Sequence, residues 1–321
     1  MPPREQPMVP RATPESYYGR PILKEPVWKW PIPAYLFTGG LAGGSALLAA
    51  GSRLTRNRRL ARQSRLVALG ALGLSTGFLI RDLGRPSRFA NMLRVFKPTS
   101  PMNVGSWILS AFGAALGVGV AADSLALPAA GALADGAAAC LGPAVATYTA
   151  VLLADTAVPA WQAAGDDLPL LFAAGAAASA GALGVFLAPA QDAGAARRLL
   201  LGGAVAEILS AQRLRRRLEP DVARAYHEGR AGALGRASTA CTVAGAAAVV
   251  TGSFEKLGAV AVATGAALER FAVVEAGRAS ARDPEATVGP QRRRMASAAA
   301  GGDGGRPAMS PRDGSRGAAP R

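Results

Sequence analysis

The sequence is poor in cysteine and histidine, and this shortage limits the cofactors that the chain can hold by itself. Its 321 residues include two cysteines, Cys140 and Cys241, and one histidine, His227. There is no CxxC pair, so the chain cannot supply the four thiolates of an iron–sulfur cluster or a structural zinc site. Haem ligation inside a membrane needs histidine on a helix, whereas His227 lies in a polar segment. The sequence therefore predicts no haem, metal or iron–sulfur cluster bound by this chain.

Charge is also scarce, and its distribution is informative. Charged residues make up 18% of the chain and fall in clusters between runs of Ala, Gly, Leu and Val. These runs are about 17 to 23 residues long, enough for an α-helix to cross a bilayer. They lack the alternation of a β-barrel and argue against a soluble globular domain.

We therefore predict an all-α membrane protein with eight transmembrane helices and both termini on the same side. The predicted spans are residues 32–52, 64–83, 104–122, 139–157, 168–190, 198–214, 237–254 and 257–276. The fourth and sixth are the least apolar, because Asp155 closes one and Glu207 interrupts the other.

Outside the spans, the chain divides into an arm and a tail. Residues 1–31 form a polar, proline-rich arm, residues 32–277 the membrane domain, and residues 278–321 a basic tail that is disordered by composition. Tryptophans flank the predicted spans, as is typical of the membrane–water interface; they are Trp28, Trp30, Trp107 and Trp161.

The membrane orientation stays open. Residues 53–65 contain six arginines and no acid, which favours the cytoplasmic side for this linker. The linkers at 84–103 and 212–236 are basic too, and they lie on the opposite side with the termini. The positive-inside rule thus gives two conflicting signals.

The net charge of +15 is spread over these linkers, and we expect membrane lipids but no nucleic acid among the partners.

The first span contains the motif GGLAGGS, with two overlapping Gly-xxx-Gly pairs, Gly39/Gly43 and Gly40/Gly44. A phosphate-binding loop would need a lysine at its end and a strand before it, and neither is present. Close packing against neighbouring helices is the better interpretation.

Ionisable residues within the spans are candidates for function, because each costs roughly 2.5–3.5 kcal/mol to insert. Glu207 lies near the middle of the sixth span, where it is a candidate for proton transfer. The alternatives are a hydrogen bond between helices or a pair with an arginine such as Arg213. Glu269 and Arg270 are consecutive and point about 100° apart, so we expect each to pair with another helix.

Two further groups of polar residues lie near span ends. Tyr148 and Asp155 are two turns apart on one face of the fourth span, which suits hydrogen bonding to a quinone carbonyl and proton delivery; polar contact between helices is the alternative. The second span ends in RDLGRP at 81–86, where Gly84 suits a helix cap and Pro86 cannot continue the helix. Its arginines can bind carbonyls, carboxylates or an anionic head group, or simply snorkel.

Four stretches of the sequence resemble the NrfD/PsrC family of membrane subunits. They are IPAYLFTGGLAGGS at 32–45, RDLGRPSRFANMLRVFKPTSPMNVGSW at 81–107, TYTAVLLADTAVPAW at 147–161 and ERFAVVEAGRASARDPEATVGPQRRR at 269–294. The resemblance extends over about residues 17–294, and the linker at 81–107 is its most specific part.

The resemblance implies a subunit of a polysulfide reductase-like or formate dehydrogenase-like complex in the cytoplasmic membrane. Such a subunit docks an iron–sulfur subunit with 4Fe-4S clusters, which contacts a molybdopterin-type catalytic subunit, and it exchanges electrons with quinone or quinol. The implied quinone-binding residues are Tyr35, Tyr148 and Asp155. Asp155 and Glu207 would transfer protons. The partner-docking residues would be Arg81, Asp82, Arg85 and Trp107.

The sequence departs from the family at one point and leaves two alternatives. Some members use a histidine on the first helix, where this chain has only Thr38 and glycines. A structural anchor without quinone chemistry is therefore one alternative. A secondary transporter is the other, and it would predict inverted repeats and helices broken near the midplane.

Overall fold

The computed structural model describes residues 20–85 and 87–301, and all regular structure in these residues is helical. In chain order the helices are α1 (Pro31–Leu54), α2 (Arg58–Leu83), α3 (Ser87–Met92), α4 (Pro101–Ser124), α5 (Pro128–Ala154), α6 (Pro159–Ala163), α7 (Leu168–Leu187), α8 (Gly194–Arg217), α9 (Pro220–His227), α10 (Gly229–Thr251), α11 (Glu255–Arg282) and α12 (Pro284–Gly301).

The prediction of an all-α membrane protein is confirmed. The eight predicted spans correspond in order to α1, α2, α4, α5, α7, α8, α10 and α11, which have 20 residues or more. Within the described residues, seven of these are long and apolar enough to cross a membrane. The exception is α8, which is 24 residues long but carries arginines at both ends and Glu207 between them. Its low hydropathy agrees with the expectation for the sixth span.

The main error concerns the fourth span. Helix α5 begins at Pro128, eleven residues before the predicted start at 139, and the full helix is as apolar as α4. The part of the helix that the prediction left out contains an acidic residue, Asp135. In the structure Asp135 is only 4% exposed and is paired with arginines, so its charge does not end the helix.

The long helices form four antiparallel hairpins, α1–α2, α4–α5, α7–α8 and α10–α11. One helix of each hairpin packs in the interior, where α1 contacts α5, α7 and α11. Burial follows this arrangement, since 83% of the apolar segment of α1 is buried but only 22% of that of α2. The outer helices α2, α4 and α10 are therefore left to face lipid.

The glycines of α1 allow this close packing, as the sequence predicted. A Cβ on Gly43 would overlap the backbone of Gly142 in α5, and a Cβ on Gly44 would overlap the Ala176 carbonyl in α7. Gly40 faces Ala176 as well. At Gly43 and Gly44 only a hydrogen atom lets the backbones approach so closely.

The first and last described segments of the chain lie on the same side of the bundle, which we call the termini face. Glu25, which precedes α1, accepts hydrogen bonds from Arg278 (2.8 Å) and Arg282 (2.7 Å) at the end of α11. The hydrogen bond from Arg282, followed by that from Arg278, lowers the pKa of Glu25 from 4.5 to about 2. The opposite side carries the α1–α2, α4–α5, α7–α8 and α10–α11 turns, and we call it the linker face.

The segment after residue 277 is helical up to Gly301, although composition assigned it to the tail. Helix α11 continues to Arg282, and α12 is held against α9 by ion pairs of Arg293 with Glu219 (2.6 Å) and Asp221 (2.5 Å). The pKa of Asp221 is lowered by these hydrogen bonds, first of all by that from Arg293. Residues 302–321 of the predicted tail and 1–19 of the predicted arm lie outside the described residues.

Candidate functional site

Two tyrosines of the predicted site, from α1 and α5, meet at the termini face. Tyr35 lies in the second turn of α1 and Tyr148 six residues before the end of α5, and their hydroxyl groups are hydrogen-bonded to each other. Tyr35 is 4% exposed and Tyr148 is half-buried. Gly105 of α4 lies against the Tyr148 ring, which a Cβ at that position would overlap. Three helices therefore fix the position of this tyrosine pair.

Helix α2 supports the tyrosine pair from the other side. The Ser75 hydroxyl, which is fully buried, donates a hydrogen bond to the Tyr35 carbonyl oxygen (3.2 Å). Thr38 donates to the Ala34 carbonyl (2.8 Å) and so remains within its own helix. Sequence reasoning missed Ser75 and Gly105, because a single small polar residue in an apolar span carries little signal of its contacts.

Asp155 is not buried beneath Tyr148, contrary to the expectation from spacing. It caps α5 at its C-terminal end, it is exposed, and its carboxylate makes no hydrogen bond or ion pair with any described residue. Seven residues of helix also separate the two side chains by about 10 Å along the axis. The shared face is real, but α5 ends at Ala154, so the carboxylate lies at the surface of the termini face.

Glu207 of α8 lies deep in the bundle opposite Arg270 of α11. Their side chains are 4% and 2% exposed, and the closest oxygen and nitrogen atoms are 3.7 Å apart. The Arg270 guanidinium covers the Phe172 ring at 4.2 Å and donates to the Phe172 carbonyl oxygen (2.9 Å). Gly175 of α7 provides the space, since a Cβ there would overlap Glu207 and approach Arg270.

The neighbouring charges also pair between helices, which confirms the prediction for Glu269 and Arg270. Glu269 pairs with Arg215 of α8 at 3.4 Å, while Arg213, the alternative partner for Glu207, pairs with Asp167 instead (2.8 Å). We call Glu207, Glu269, Arg270 and Arg215 the midplane cluster.

Hydrogen bonding in the midplane cluster is incomplete. Among the described residues, no partner accepts from the Nε and Nη1 atoms of Arg270, and none donates to either carboxylate oxygen of Glu207. Buried polar groups normally have partners, and one without a partner calls for an explanation, such as strain, a catalytic role or a bound water.

A second charge cluster, centred on the buried Arg65–Asp135 pair, lies at the linker face and was missed by sequence reasoning. Arg65 of α2 donates to both carboxylate oxygens of Asp135 (2.7 and 2.5 Å), to the Gly119 carbonyl oxygen (2.8 Å) and to Asp123. Arg53 also donates to Asp135 (3.0 Å). We call Arg53, Arg65, Asp123 and Asp135 the linker-face cluster. A fourth span extended to residue 128 would have shown an acid within a membrane helix.

The predicted docking residues gather on the termini face. The Arg81 guanidinium lies over the Trp30 ring at 5.5 Å, and Trp30 contacts Phe78 edge to face. Trp107 is 39% exposed and Arg85 is exposed, whereas Asp82 is half-buried. Gly84 caps α2 in the left-handed region (φ 72°), as predicted, and Pro86 lies outside the described residues.

Trp161 differs from the expectation of an interface position. It is fully buried, its indole donates to the Val273 carbonyl oxygen (2.7 Å), and its ring stacks on Trp28 at 5.2 Å. Gly277 of α11 makes room for the ring. The short helix α6 folds back into the bundle, so this tryptophan anchors α6 to α11 and is not exposed to lipid headgroups.

These features define a polytopic helical membrane protein with a tyrosine pair near one face and charged residues buried between its helices. The sequence model of the family described as Polysulphide reductase, NrfD, matches residues 22–198. This range is more than half of the chain, and the chain belongs to the NrfD family. No match to the chain is found among curated proteins.

The family assignment covers part of the predicted resemblance. The matched range contains three of the four quoted stretches, whereas the stretch at 269–294 lies beyond it. NrfD proteins are membrane subunits of polysulfide reductase-like complexes, and they associate with iron–sulfur and catalytic oxidoreductase subunits. The tyrosine pair lies within the match, while the midplane cluster lies outside it.

Proposed function

We propose that this chain anchors an iron–sulfur subunit in the cell membrane and exchanges electrons with the quinone pool. The observation that carries the proposal is the meeting of the Tyr35 and Tyr148 hydroxyls at the termini face, within the family match. A phenol hydroxyl can donate a hydrogen bond to the carbonyl oxygen of a quinone. Oxidation of a quinol releases two electrons and two protons, and reduction of a quinone consumes the same numbers.

The tyrosine pair suits a quinone headgroup as substrate. Each hydroxyl already has a partner in the other, and a quinone carbonyl would accept from one of them in exchange. Gly105 lies against the Tyr148 ring, and Ser75 bonds the backbone carbonyl of Tyr35, so both tyrosines are held by neighbouring helices. In this proposal Tyr148 donates to one carbonyl oxygen and Tyr35 keeps Tyr148 in position.

Two carboxylates would exchange the protons. Asp155 is exposed at the termini face, where it can exchange protons with solvent. Glu207 has two carboxylate oxygens without donors among the described residues, and its partner Arg270 covers Phe172. Phe172 belongs to the same buried apolar cluster as Tyr35, so the two sites adjoin one core.

The docking surface would be formed by Arg81, Asp82, Arg85 and Trp107. The exposed arginines suit an acidic, ferredoxin-like subunit, and charge complementarity of this kind promotes association. A molybdopterin-type catalytic subunit would join the complex through that iron–sulfur subunit. Electrons would then pass between the quinone and the nearest 4Fe-4S cluster of the partner.

The decisive experiment is gentle purification of the tagged chain, with identification of co-purifying subunits, iron and molybdenum analysis and an assay of quinone-linked turnover. Tyr148→Phe is expected to lower turnover at least about tenfold while subunits and metals are retained. Tyr226→Phe is the matched control, because Tyr226 is also buried but donates to Ala160 away from the pair.

Each contrary outcome identifies what has failed. Unchanged turnover of Tyr148→Phe would remove this tyrosine from the site, and insensitivity of the wild-type complex to quinone-site inhibitors would favour the structural anchor. A chain that purifies alone and metal-free would overturn the docking assignment. The transporter hypothesis predicted broken helices, whereas α5 continues through Pro143 and the long helices of the described chain are unbroken.

A further inference from the structure

A basic pocket opens on the linker face between the α1–α2 turn and the α4–α5 turn. Its volume is about 890 Å³, and α1, α2, α4 and the start of α5 contribute to its walls. Five arginines line it: Arg53, Arg56, Arg58, Arg62 and Arg65. Asp123 is the acidic residue in the lining. None of these residues belongs to the site proposed for quinone or for the partner subunit.

The positive charge of the pocket is only partly balanced. Arg53 and Arg65 pair with Asp135, and Arg65 also pairs with Asp123. The other three guanidinium groups make no ion pair with any described residue; they belong to Arg56, Arg58 and Arg62. Five arginines against two aspartates leave three positive charges over a single open pocket.

Exposed leucines surround this charge. Leu54 is 87% exposed, Leu125 69% and Leu127 51%, and Leu127 lines the pocket itself. All three lie at the ends of membrane-spanning helices, in the two turns that border the pocket. Guanidinium groups and apolar side chains therefore lie next to each other at the level where the membrane-spanning helices end. This combination suits an amphipathic molecule with an anionic head.

We propose that this pocket binds the headgroup of an anionic phospholipid. Guanidinium groups hydrogen-bond phosphate oxygens in pairs, and the adjacent leucines contact the acyl chains. Asp123 opposes an anion, but its carboxylate is engaged by Arg65, so the unpaired arginines determine the local charge. The proposal does not depend on quinone chemistry or on docking of a partner.

The test measures binding of phosphatidylglycerol and phosphatidylcholine to the full-length protein in detergent by native mass spectrometry. The wild type is expected to prefer phosphatidylglycerol. The double variant Arg56→Gln/Arg62→Gln is expected to lose that preference, with affinity for phosphatidylglycerol falling about tenfold or more. Arg59→Gln/Arg198→Gln is the control, because these exposed arginines lie on the same face outside the pocket.

A control within about twofold of the wild type would support the pocket, since both double variants change the net charge equally. Equal losses in the two double variants would overturn it in favour of general surface charge. Equal binding of both lipids by the wild type would also overturn it. Soluble glycerol phosphate tests whether the pocket recognises a lipid or a free phosphate group. Displacement of the lipid by glycerol phosphate alone would contradict the need for acyl contacts. Arg62→Gln alone serves if the double variant does not fold.

Discussion

The midplane cluster and the linker-face cluster each contain a buried ion pair, and they differ in their hydrogen bonding. Each contains two arginines and two acids and is therefore neutral as a whole. In the linker-face cluster all three guanidinium nitrogens of Arg65 donate to an acceptor, and Asp135 accepts through both oxygens. In the midplane cluster, Glu207 and Arg270 approach only to 3.7 Å and leave four atoms without a partner among the described residues.

This difference in hydrogen bonding indicates what each cluster contributes to the protein. A fully hydrogen-bonded ion pair has offset its desolvation as far as geometry allows, and its role is to hold α2, α4 and α5 together. An incompletely bonded pair costs stability that better-placed partners would recover. The presence of such a pair deep in the bundle favours a role in which a hydrogen bond must be exchanged, as proton transfer requires.

Breaking the linker-face cluster is expected to have the largest effect. Arg65→Gln leaves Asp135 buried without its bidentate partner, and loss of one member of a buried pair costs about 3–5 kcal/mol. Thermal unfolding in detergent should show a large drop in midpoint temperature. Arg59→Gln, which alters an exposed arginine one turn and a half earlier, should melt like the wild type. Comparable melting of the two variants would contradict a structural role for the cluster.

The same kind of change in the midplane cluster should affect stability less and turnover more. Glu207→Gln keeps the side-chain shape, and Arg270 retains its bond to Phe172 and its place beside Glu269. We expect a stability loss of about 1–3 kcal/mol, and a fall in quinone-linked turnover of at least about tenfold. Turnover by the purified complex and thermal unfolding measure the two effects separately.

Glu255→Gln, which removes a partly exposed acid of the linker face, is the control for Glu207→Gln. It should change neither quantity appreciably. Full turnover by Glu207→Gln, together with a stability loss as large as that of Arg65→Gln, would mean that both clusters are structural.

Local sequence predicted the fold because each apolar run specifies its own helix. The eight helices and the packing of the α1 glycines needed no knowledge of distant residues. The start of α5 could not be predicted in this way, since Asp135 is tolerated through Arg53 and Arg65, which lie 82 and 70 residues earlier in the chain. Long-range pairing of this kind leaves no trace in the composition of either segment.

The same holds for the candidate site, where some features could be predicted from the sequence and others depend on the folded structure. The family resemblance indicated that Tyr35 and Tyr148 lie near one face, but it did not predict the hydrogen bond between their hydroxyls. The exposure of Asp155 did not follow, because spacing gives the face of a helix but not the residue at which the helix ends. An arginine pairs with Glu207, as one alternative predicted, but it is Arg270 and not Arg213, because Gly175 in a third helix leaves space for the pair.

A third ion pair, at the surface, extends the comparison to solvent and should show the smallest effect. Glu25 bridges the start of α1 to Arg278 and Arg282, and its pKa is lowered from 4.5 to about 2. A lowered pKa contributes stability that is present above pH 4.5 and is lost as the pH falls toward 2. Because a third of the Glu25 side chain is exposed, we expect Glu25→Gln to cost less than about 1 kcal/mol at pH 7.

The difference between wild type and Glu25→Gln should therefore shrink as the pH is lowered from 7 to 3, when thermal unfolding is followed at low ionic strength. Glu228→Gln, on the same face and without an ion pair to any described residue, should show no such trend. A constant difference at every pH would mean that Glu25 acts through packing of its side chain. A shrinking difference would show that the charge of Glu25 stabilises the fold, as expected for an ion pair that solvent can reach.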